Sequence, residues 1–308
     1  MPDNRARSLA VLLAALLAAT AQAQEQNDER GREWRGEVGM GAEYDSNVSV
    51  SEVDVTSGEA DSAWLVDFEL GLTQPVGDKS ELSLSYDFSQ ATYERFSRVD
   101  RQTHIFGADL RRDFGKTNGS VSAYYIRSSL DNEPFLDFLR LSPALSGFLA
   151  KRWFARGAYV YSERAIEDRS DRDATTHSAE ADLYYFHRGL RSYFNIGYRY
   201  RDEDAIAPRF DFRSHGFKLR YIRRLQIAER QAKMELAWRF EARRYRSPSP
   251  TIEVDRSDDR SRLKVDLEIP LNEHFSLQWF ASQGNYDSNL PRADFTQTIV
   301  GMRLQLAW

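Results

Sequence analysis

The stretch Val300-Gly-Met-Arg-Leu-Gln-Leu-Ala-Trp308 places an apolar side chain at every second position, and Arg303 and Gln305 belong to the other series. Successive side chains of a β-strand point to opposite faces, so this alternation predicts a strand with one apolar and one polar face. The pattern begins at about Thr296. It is longer than the ~5–6 residues of a typical soluble strand and long enough for the ~9–11 residues of a tilted membrane-spanning strand. We therefore expect the apolar series to face lipid and Arg303 and Gln305 to face a lumen.

The same alternation recurs along the chain. Further apolar series begin at Trp34, Trp64, Leu82, Phe106, Ala179, Phe194, Phe217, Ala232, Leu263 and Phe275. Segments 118–128, 138–149 and 154–164 fit less cleanly, and Pro143 weakens the middle one because proline cannot donate a ladder hydrogen bond. The pattern predicts an all-β fold, an antiparallel up-and-down transmembrane β-barrel of about 14 strands.

Short and long connections alternate, as in barrels with tight periplasmic turns and longer external loops. Tight turns are predicted near 75–78, 115–119, 150–152, 187–189 and 272–274. Longer polar links are predicted near 45–62, 94–101, 131–137, 165–174, 202–210, 244–259 and 287–293. Because even the link 45–62 is short for this, we expect no connection to fold inward as a substantial constriction or plug.

The first residues predict export. Arg5 and Arg7 precede an apolar run from Leu9 to Ala19 and a small-residue segment, which together are typical of a secretory signal peptide over residues 1–23. Residues 24–32 are expected to form a short periplasmic segment, and residues 33–308 the barrel, in the cell outer membrane. The chain has no cysteine, which excludes disulfides and thiolate metal sites. A net charge of −5 without a long basic stretch gives no support for a nucleic-acid partner.

A repeated Asp-x-x-x-His segment opens three descending strands. The copies are Asp100–His104, Asp173–His177 and Asp211–His215. Metal ligands must converge on one point, whereas these histidines lie in apolar series distributed around the wall, so we interpret them as interfacial polar residues. No spacing of serine, histidine and acid singles out a nucleophile. We expect no enzyme activity, no metal and no other cofactor.

A second repeat, Tyr-Asp-Ser-Asn, ends two ascending strands at Tyr44–Asn47 and Tyr286–Asn289. Its oxygens could bind a cation. Asp and Asn also end strands by bonding their own backbone in Asx-turns, and we favour that turn interpretation.

The inward-facing series differ in charge between two opposite walls. The acidic set on strands one to three is Glu37, Asp67, Glu69, Glu81 and Asp87, and the basic set on strands nine and ten is Arg199, Arg201, Lys218 and Arg220. One hypothesis is a transverse field that selects polar solutes in a pore. The other is that these charges bridge one another and help plug a narrow lumen, together with Glu235, Arg239, Lys264, Asp266 and Glu268. Both remain open at this point.

Three short motifs resemble a known family. They are Tyr44-Asp45-Ser46-Asn47-Val48, Arg256-Ser-Asp-Asp-Arg260 and Tyr286-Asp-Ser-Asn289. Over nearly all of residues 33–308 the chain resembles the barrel domain of surface lipoprotein assembly modifiers, which implies about fourteen strands and a role in moving lipoproteins across the outer membrane. Members of that family usually carry a periplasmic tetratricopeptide-repeat domain before the barrel, where this chain has residues 24–32. Barrels of exopolysaccharide export and barrels described as porins share a similar Tyr-Asp-x-Asn start.

Three functions follow from these patterns. The first is transfer of a lipoprotein or polysaccharide client across the outer membrane. The second is passive diffusion, or exopolysaccharide export, through the barrel, and the third is a non-conducting structural role at the surface. The expected partners are outer-membrane lipids and the barrel assembly machinery, because the C-terminal series Met302, Leu304, Leu306 and Trp308 resembles the insertion signal of such barrels.

Overall fold

The computed structural model describes residues 31–227 and 229–308. The predicted signal peptide, residues 1–23, lies outside the described residues, and so do residues 24–30 of the predicted periplasmic segment. Within the described part of the chain, no helix is long and apolar enough to cross a membrane.

Fourteen antiparallel strands close into one ring, which confirms the predicted fold class and strand number. In chain order they are β1 (Glu33–Asp45), β2 (Asp61–Pro75), β3 (Ser80–Tyr93), β4 (Arg101–Asp113), β5 (Thr117–Leu130), β6 (Glu133–Ala150), β7 (Trp153–Ile166), β8 (Ala174–Leu190), β9 (Ser192–Ala205), β10 (Phe212–Ile227), β11 (Arg230–Pro248), β12 (Asp255–Pro270), β13 (Phe275–Ser288) and β14 (Phe295–Ala307). Each strand pairs with its chain neighbours, and β14 pairs with β1.

The apolar series form the outer surface of the ring. Trp64 is 65% exposed and Met302 is 46% exposed, although both are large and apolar. In a soluble protein such a belt would drive aggregation, whereas a membrane barrel presents it to lipid. Strands of 13 to 19 residues are long enough to cross the membrane and extend beyond it.

The prediction of a long polar link at 131–137 is wrong. β5 and β6 are joined by only Asp131 and Asn132, whose φ angles of 50° and 64° are those of a tight hairpin turn. Pro143 lies inside β6 and pairs with Val121 of β5, while the pairing of β6 with β7 is interrupted between Leu141 and Ala144. The proline is tolerated because it lies where that ladder is broken.

The Asp-x-x-x-His repeat closes three external hairpins in the same way. A 3-10 turn precedes each aspartate, at Ser97–Val99, Ser170–Arg172 and Pro208–Phe210. Each carboxylate accepts the backbone N–H of the last residue of the preceding strand. The pairs are Asp100 with Tyr93 at 2.8 Å, Asp173 with Ile166 at 2.8 Å and Asp211 with Ala205 at 2.7 Å. The aspartate of the repeat therefore has a structural role.

The three histidines of the repeat lie on the outer surface, on β4, β8 and β10. Each imidazole hydrogen-bonds with a tyrosine hydroxyl on the preceding strand. The pairs are His104 with Tyr86 at 2.9 Å, His177 with Tyr159 at 2.5 Å and His215 with Tyr198 at 2.8 Å. Tyrosine rings with a satisfied hydroxyl are typical of the boundary between lipid and water.

Replacing the hairpin carboxylate tests its role. In Asp211→Ala, the Ala205 N–H loses its acceptor, so we expect the free energy of unfolding to fall by about 1–3 kcal/mol. Urea titration of the barrel refolded into phospholipid vesicles measures this. Asp204→Ala, at an exposed position of β9, is the matched control and should change stability little. Equal stability of the two variants would refute the structural role of Asp211.

Candidate functional site: the lumen and its external mouth

The connection between β1 and β2 folds across the mouth of the barrel, and we name residues 46–60 the mouth loop. Two-residue strands, Ser49–Val50 and Val55–Thr56, pair within it. They are joined by a 3-10 turn at Ser51–Val53 and by Asp54, whose φ is 53°. The expectation that no connection folds inward is therefore wrong. An arm of about seven residues can span up to ~25 Å, so even this short link reaches distant walls.

The mouth loop packs an apolar side chain inside the barrel. Val50, only 3% exposed, forms a buried cluster with Phe135 of β6 and Ile166 of β7. Partly buried apolar residues surround this cluster: Val53, Val99, Leu130 and Leu136. Removing these side chains from water stabilises the inward position of the loop.

Asp54 joins the mouth loop to two other parts of the wall. Its carboxylate accepts hydrogen bonds from Arg172 at 2.8 Å and from Arg256 at 2.8 and 2.9 Å, and Arg260 lies 3.9 Å away. Arg172 belongs to the turn between β7 and β8, and the other two belong to β12. We call Arg172, Arg256 and Arg260 the arginine triad. The Asp54 side chain is only 4% exposed, so this contact is shielded from solvent.

Further contacts fix the two flanks of the mouth loop. Glu52 pairs with Arg101 of β4 at 2.9 Å. At the base of the loop, Asp45 accepts the backbone N–H of Asn47 at 2.9 Å, which confirms the Asx-turn interpretation of Tyr44–Asn47. Gln297 of β14 also donates to the Asp45 carboxylate.

The second Tyr-Asp-Ser-Asn copy forms its turn with a different residue. The Ser288 hydroxyl accepts the backbone N–H of Leu290 at 3.0 Å and donates to Asp258 at 2.7 Å. Asn289 accepts the backbone N–H of Ser257 at 2.9 Å. A turn was predicted here, but Ser288 rather than Asp287 closes it.

The ion pairs change the acidity of the loop carboxyls. Burial alone would raise the pKa of Asp54, but the Arg256 and Arg172 guanidinium groups hold that pKa well below its usual range. Burial also opposes ionisation of Glu52, and Arg101 lowers its pKa. A carboxyl with a lowered folded-state pKa stabilises the fold above its unfolded pKa of about 4 and loses that contribution as the pH falls through the folded value.

The predicted basic set lies beside acids of the same wall, on strands one or two positions away. Arg199 and Arg201 each approach Glu241 at 3.6 Å. The other two pairs are Lys218 with Asp182 at 2.7 Å and Arg220 with Glu235 at 2.7 Å. Lys218 and Arg220 are therefore compensated within their own wall, whereas Arg199 and Arg201 share one carboxylate, which also pairs with Arg243 at 2.8 Å.

The predicted acidic set is brought together only in part. Glu37, Glu69 and Asp87 are register partners across β1, β2 and β3. Asp67 pairs with Arg303 of β14 at 3.0 Å, and Glu81 lies apart, opposite Arg111. Among the described residues, no ion pair within 4.0 Å joins the acidic set to the basic set. The two walls therefore do not bridge each other.

Sequence reasoning missed the arginine pair Arg239 and Arg262. They are register partners on β11 and β12, and no carboxylate of residues 31–227 or 229–308 forms an ion pair with either one. Arg262 donates to the Ser282 hydroxyl at 3.1 Å. The suggestion that Arg239 is bridged by neighbouring acids is wrong, although Lys264 and Asp266 do pair at 3.0 Å. Like charges placed directly opposite each other on paired strands are unfavourable, so this arginine pair lowers the stability of the barrel.

These arginines line a lumen cavity of about 540 Å³. Its cationic side chains are Arg140, Arg199, Lys218, Arg239, Arg243, Arg260 and Arg262, and its carboxylates are Glu180, Asp182 and Glu241. Arg243 and Arg260 also line a smaller cavity of about 120 Å³ against Glu52 and Asp54 of the mouth loop. A concave wall with excess positive charge concentrates anions near its surface.

Solved outer-membrane channels share this fold. An anion-selective porin from Comamonas acidovorans aligns with a TM-score of 0.53 at 8% identity, over 90% of this chain and 99% of that one. The outer membrane channel DcaP of Acinetobacter baumannii aligns with a TM-score of 0.53 at 11% identity, over 90% and 97%. OmpT of Vibrio cholerae aligns with a TM-score of 0.50 at 9% identity, over 90% and 97%. No family model and no curated protein matches the sequence.

These similarities concern the fold alone. Together with the closed ring and its outward apolar belt, they place the chain in the cell outer membrane, as an outer-membrane β-barrel that resembles porins.

A nitroxide spin label on Val55→Cys tests the Asp54 contact, because Val55 is an exposed residue of the mouth loop and the chain has no other cysteine. We expect an immobilised spectrum from pH 5 to 8 and a progressively more mobile one as the pH falls below about 4, because the Asp54 carboxyl of the released loop, with its ordinary pKa, then protonates and favours release. Asp54→Asn should give the mobile spectrum at every pH. A label on Val76→Cys, in a tight turn, is the control. An unchanged loop spectrum in Asp54→Asn at pH 7 would contradict the assignment.

Proposed function

We propose that this outer-membrane barrel is a passive diffusion channel for small anionic solutes, with the mouth loop as its external constriction. The observation that carries the proposal is the arginine pair Arg239 and Arg262, which face the lumen cavity with no carboxylate of the described residues within 4.0 Å of either guanidinium. The proposal includes no catalytic step and no cofactor.

Charge on the opposite wall supports the same proposal. Glu37, Glu69 and Asp87 form an acidic row on β1 to β3, across the ring from the basic side chains of β9 and β10. Positive and negative walls that face each other create a field across the lumen, which orients polar solutes and ordered water. Anions then follow the basic wall.

Measurement of ion selectivity in planar bilayers tests the anion-channel proposal. In Arg239→Gln with Arg262→Gln, we expect the permeability ratio of chloride to potassium to fall roughly fivefold or more. A unit charge about 4 Å from an ion in water-like surroundings is worth about 1 kcal/mol. Reversal potentials under a KCl gradient give the ratio.

Arg223→Gln is the matched control, because Arg223 lies on the outer face of β10 and is exposed. It should leave the permeability ratio unchanged. An unaltered ratio in the double variant would refute the anion-channel proposal. Absence of conductance from every inserted variant would favour a non-conducting structural barrel instead.

Client transfer, as in the surface lipoprotein assembly modifiers that the sequence resembles, is a second candidate. The seam between β1 and β14 favours it, because nine residue pairs join these strands, against thirteen between β1 and β2. A shorter ladder opens at a lower free-energy cost, so a lipoprotein or polysaccharide client would leave here.

A disulfide across the seam separates the two functions. Gly39→Cys with Gln305→Cys places two thiols on register partners of β1 and β14. Antiparallel partners have Cβ atoms about 4.5–5.5 Å apart, within reach of a disulfide after a small shift. If clients leave through the seam, oxidation should abolish surface display and spare conductance.

Thr73→Cys with Ser83→Cys, register partners on β2 and β3, is the control disulfide. It should change neither surface display nor conductance. Normal client display with the seam oxidised would exclude transfer through β1 and β14.

The last strand contains the segment that we propose is bound by the barrel assembly machinery. Met302 and Leu304 face lipid, and Trp308 exchanges two backbone hydrogen bonds with Gly36, at 3.0 and 3.1 Å. The series Met302, Leu304, Leu306 and Trp308 would be recognised by the barrel assembly machinery before the seam closes.

A further inference from the structure

The arginine triad holds Asp54 in the geometry with which arginines bind a carboxylate or phosphate. Arg256 donates to both carboxylate oxygens, at 2.8 and 2.9 Å, and Arg172 adds a third hydrogen bond at 2.8 Å. Two parallel N–H donors that face two oxygens are the strongest and most specific form of this contact. The side chains of Arg256 and Arg172 are 3% and 9% exposed, so the contact is largely desolvated.

Other groups hold the triad in position independently of Asp54. Asp258 accepts from Arg256 at 2.8 Å and from Arg260 at 3.0 Å. The Arg172 guanidinium lies 4.2 Å from the Phe210 ring centroid, and Arg256 lies 4.7 Å from that of Tyr245. Without Asp54, Arg172 would have no carboxylate of the described residues within ion-pair distance, and Arg256 and Arg260 would share that of Asp258. That arrangement is a preorganised site for an oxyanion.

The position of Asp54 in the mouth loop allows it to move away from the arginine triad. It lies at the tip of the mouth loop in a left-handed conformation, which is uncommon for a residue other than glycine. The base of the loop is a separate unit, in which Asn47 accepts the backbone N–H of Gly58 at 3.0 Å and hydrogen-bonds to the Thr56 hydroxyl. The hairpin can therefore leave the triad while its base stays bound. Its release also separates the Arg172 bond to the Glu52 carbonyl, the Glu52–Arg101 pair and the Val50 cluster.

We propose that the arginine triad is an oxyanion-binding site at the external mouth, that Asp54 fills it in the absence of solute, and that a solute carboxylate or phosphate displaces Asp54 and releases the mouth loop. This proposal rests on the proposed channel function and adds how the mouth of the channel opens. Such a ligand shifts the loop equilibrium only because it binds the released state better than the closed one.

The spin label on Val55→Cys measures displacement directly. Citrate or inorganic phosphate should raise the ratio of mobile to immobile spectrum saturably, by about tenfold or more, which corresponds to about 1.4 kcal/mol of differential binding. Sodium chloride at the same ionic strength is the control, because it screens the ion pair without offering an oxyanion. An equal response to citrate, phosphate and chloride would overturn the proposal.

Binding to the opened site is measured by titration calorimetry with sodium phosphate on the barrel in neutral detergent. Asp54→Asn should bind phosphate at least about tenfold more tightly than the unmodified chain, because no internal carboxylate competes. Adding Arg256→Gln should remove that gain. Adding Arg213→Gln, an exposed outward arginine of β10 that pairs with Asp202, should preserve it.

Equal phosphate affinity in Asp54→Asn and in the unmodified chain would refute the site. This outcome is distinct from failure of the channel proposal, because neither readout requires conductance. Suppose that Arg239→Gln with Arg262→Gln leaves ion selectivity unaltered while phosphate still releases the loop. The oxyanion-binding site is then supported and the anion-channel proposal is refuted.

Discussion

Backbone hydrogen bonding between β14 and β1 closes the ring, and the rest of the structure depends on this closure. Lipid offers no partner for an exposed N–H or C=O group, so a sheet survives in the membrane only when it has no free edge. Trp308 and Gly36 exchange two of the closing bonds, and register pairing continues to Ile299 and Asp45. Closure sends one series of side chains into lipid and the other into a lumen, where the charged side chains of the strands collect.

Within that lumen, register decides which charges cancel. Arg220 is compensated by a carboxylate on the adjacent strand and Lys218 by one on the strand beyond, whereas the ladder of β11 and β12 sets Arg239 directly against Arg262. Of the two hypotheses for the lumen, bridging holds inside each wall, and the acidic and basic sets remain separate. The mouth loop closes over this arrangement through Asp54, so the triad above and the arginine pair below both favour anions.

Period-two alternation predicted the strands of the ring, because lipid leaves little tolerance for polar residues on the outer surface, and the alternating connections predicted about fourteen of them. Local chemistry predicted the Asp45 turn, since an Asx-turn needs only neighbouring residues. The mouth loop was not predictable in this way, because Asp54 binds Arg256 from 202 positions away along the chain. The arginine pair was hidden for a related reason: alternation assigns a face to Arg239 but does not reveal its partner across the ladder. Asp131 and Asn132 look like part of a polar link until their left-handed conformation defines a two-residue turn.

The central claim is that the mouth loop is the external constriction of an anion channel. Single-channel recording of the purified barrel, with and without residues 48–59, tests it most directly. We expect the unmodified chain to conduct weakly or intermittently, and the shortened chain to show a steady and larger conductance that prefers chloride over potassium. If the shortened chain inserts into the bilayer and its conductance equals that of the unmodified chain, or if neither conducts, the claim is contradicted.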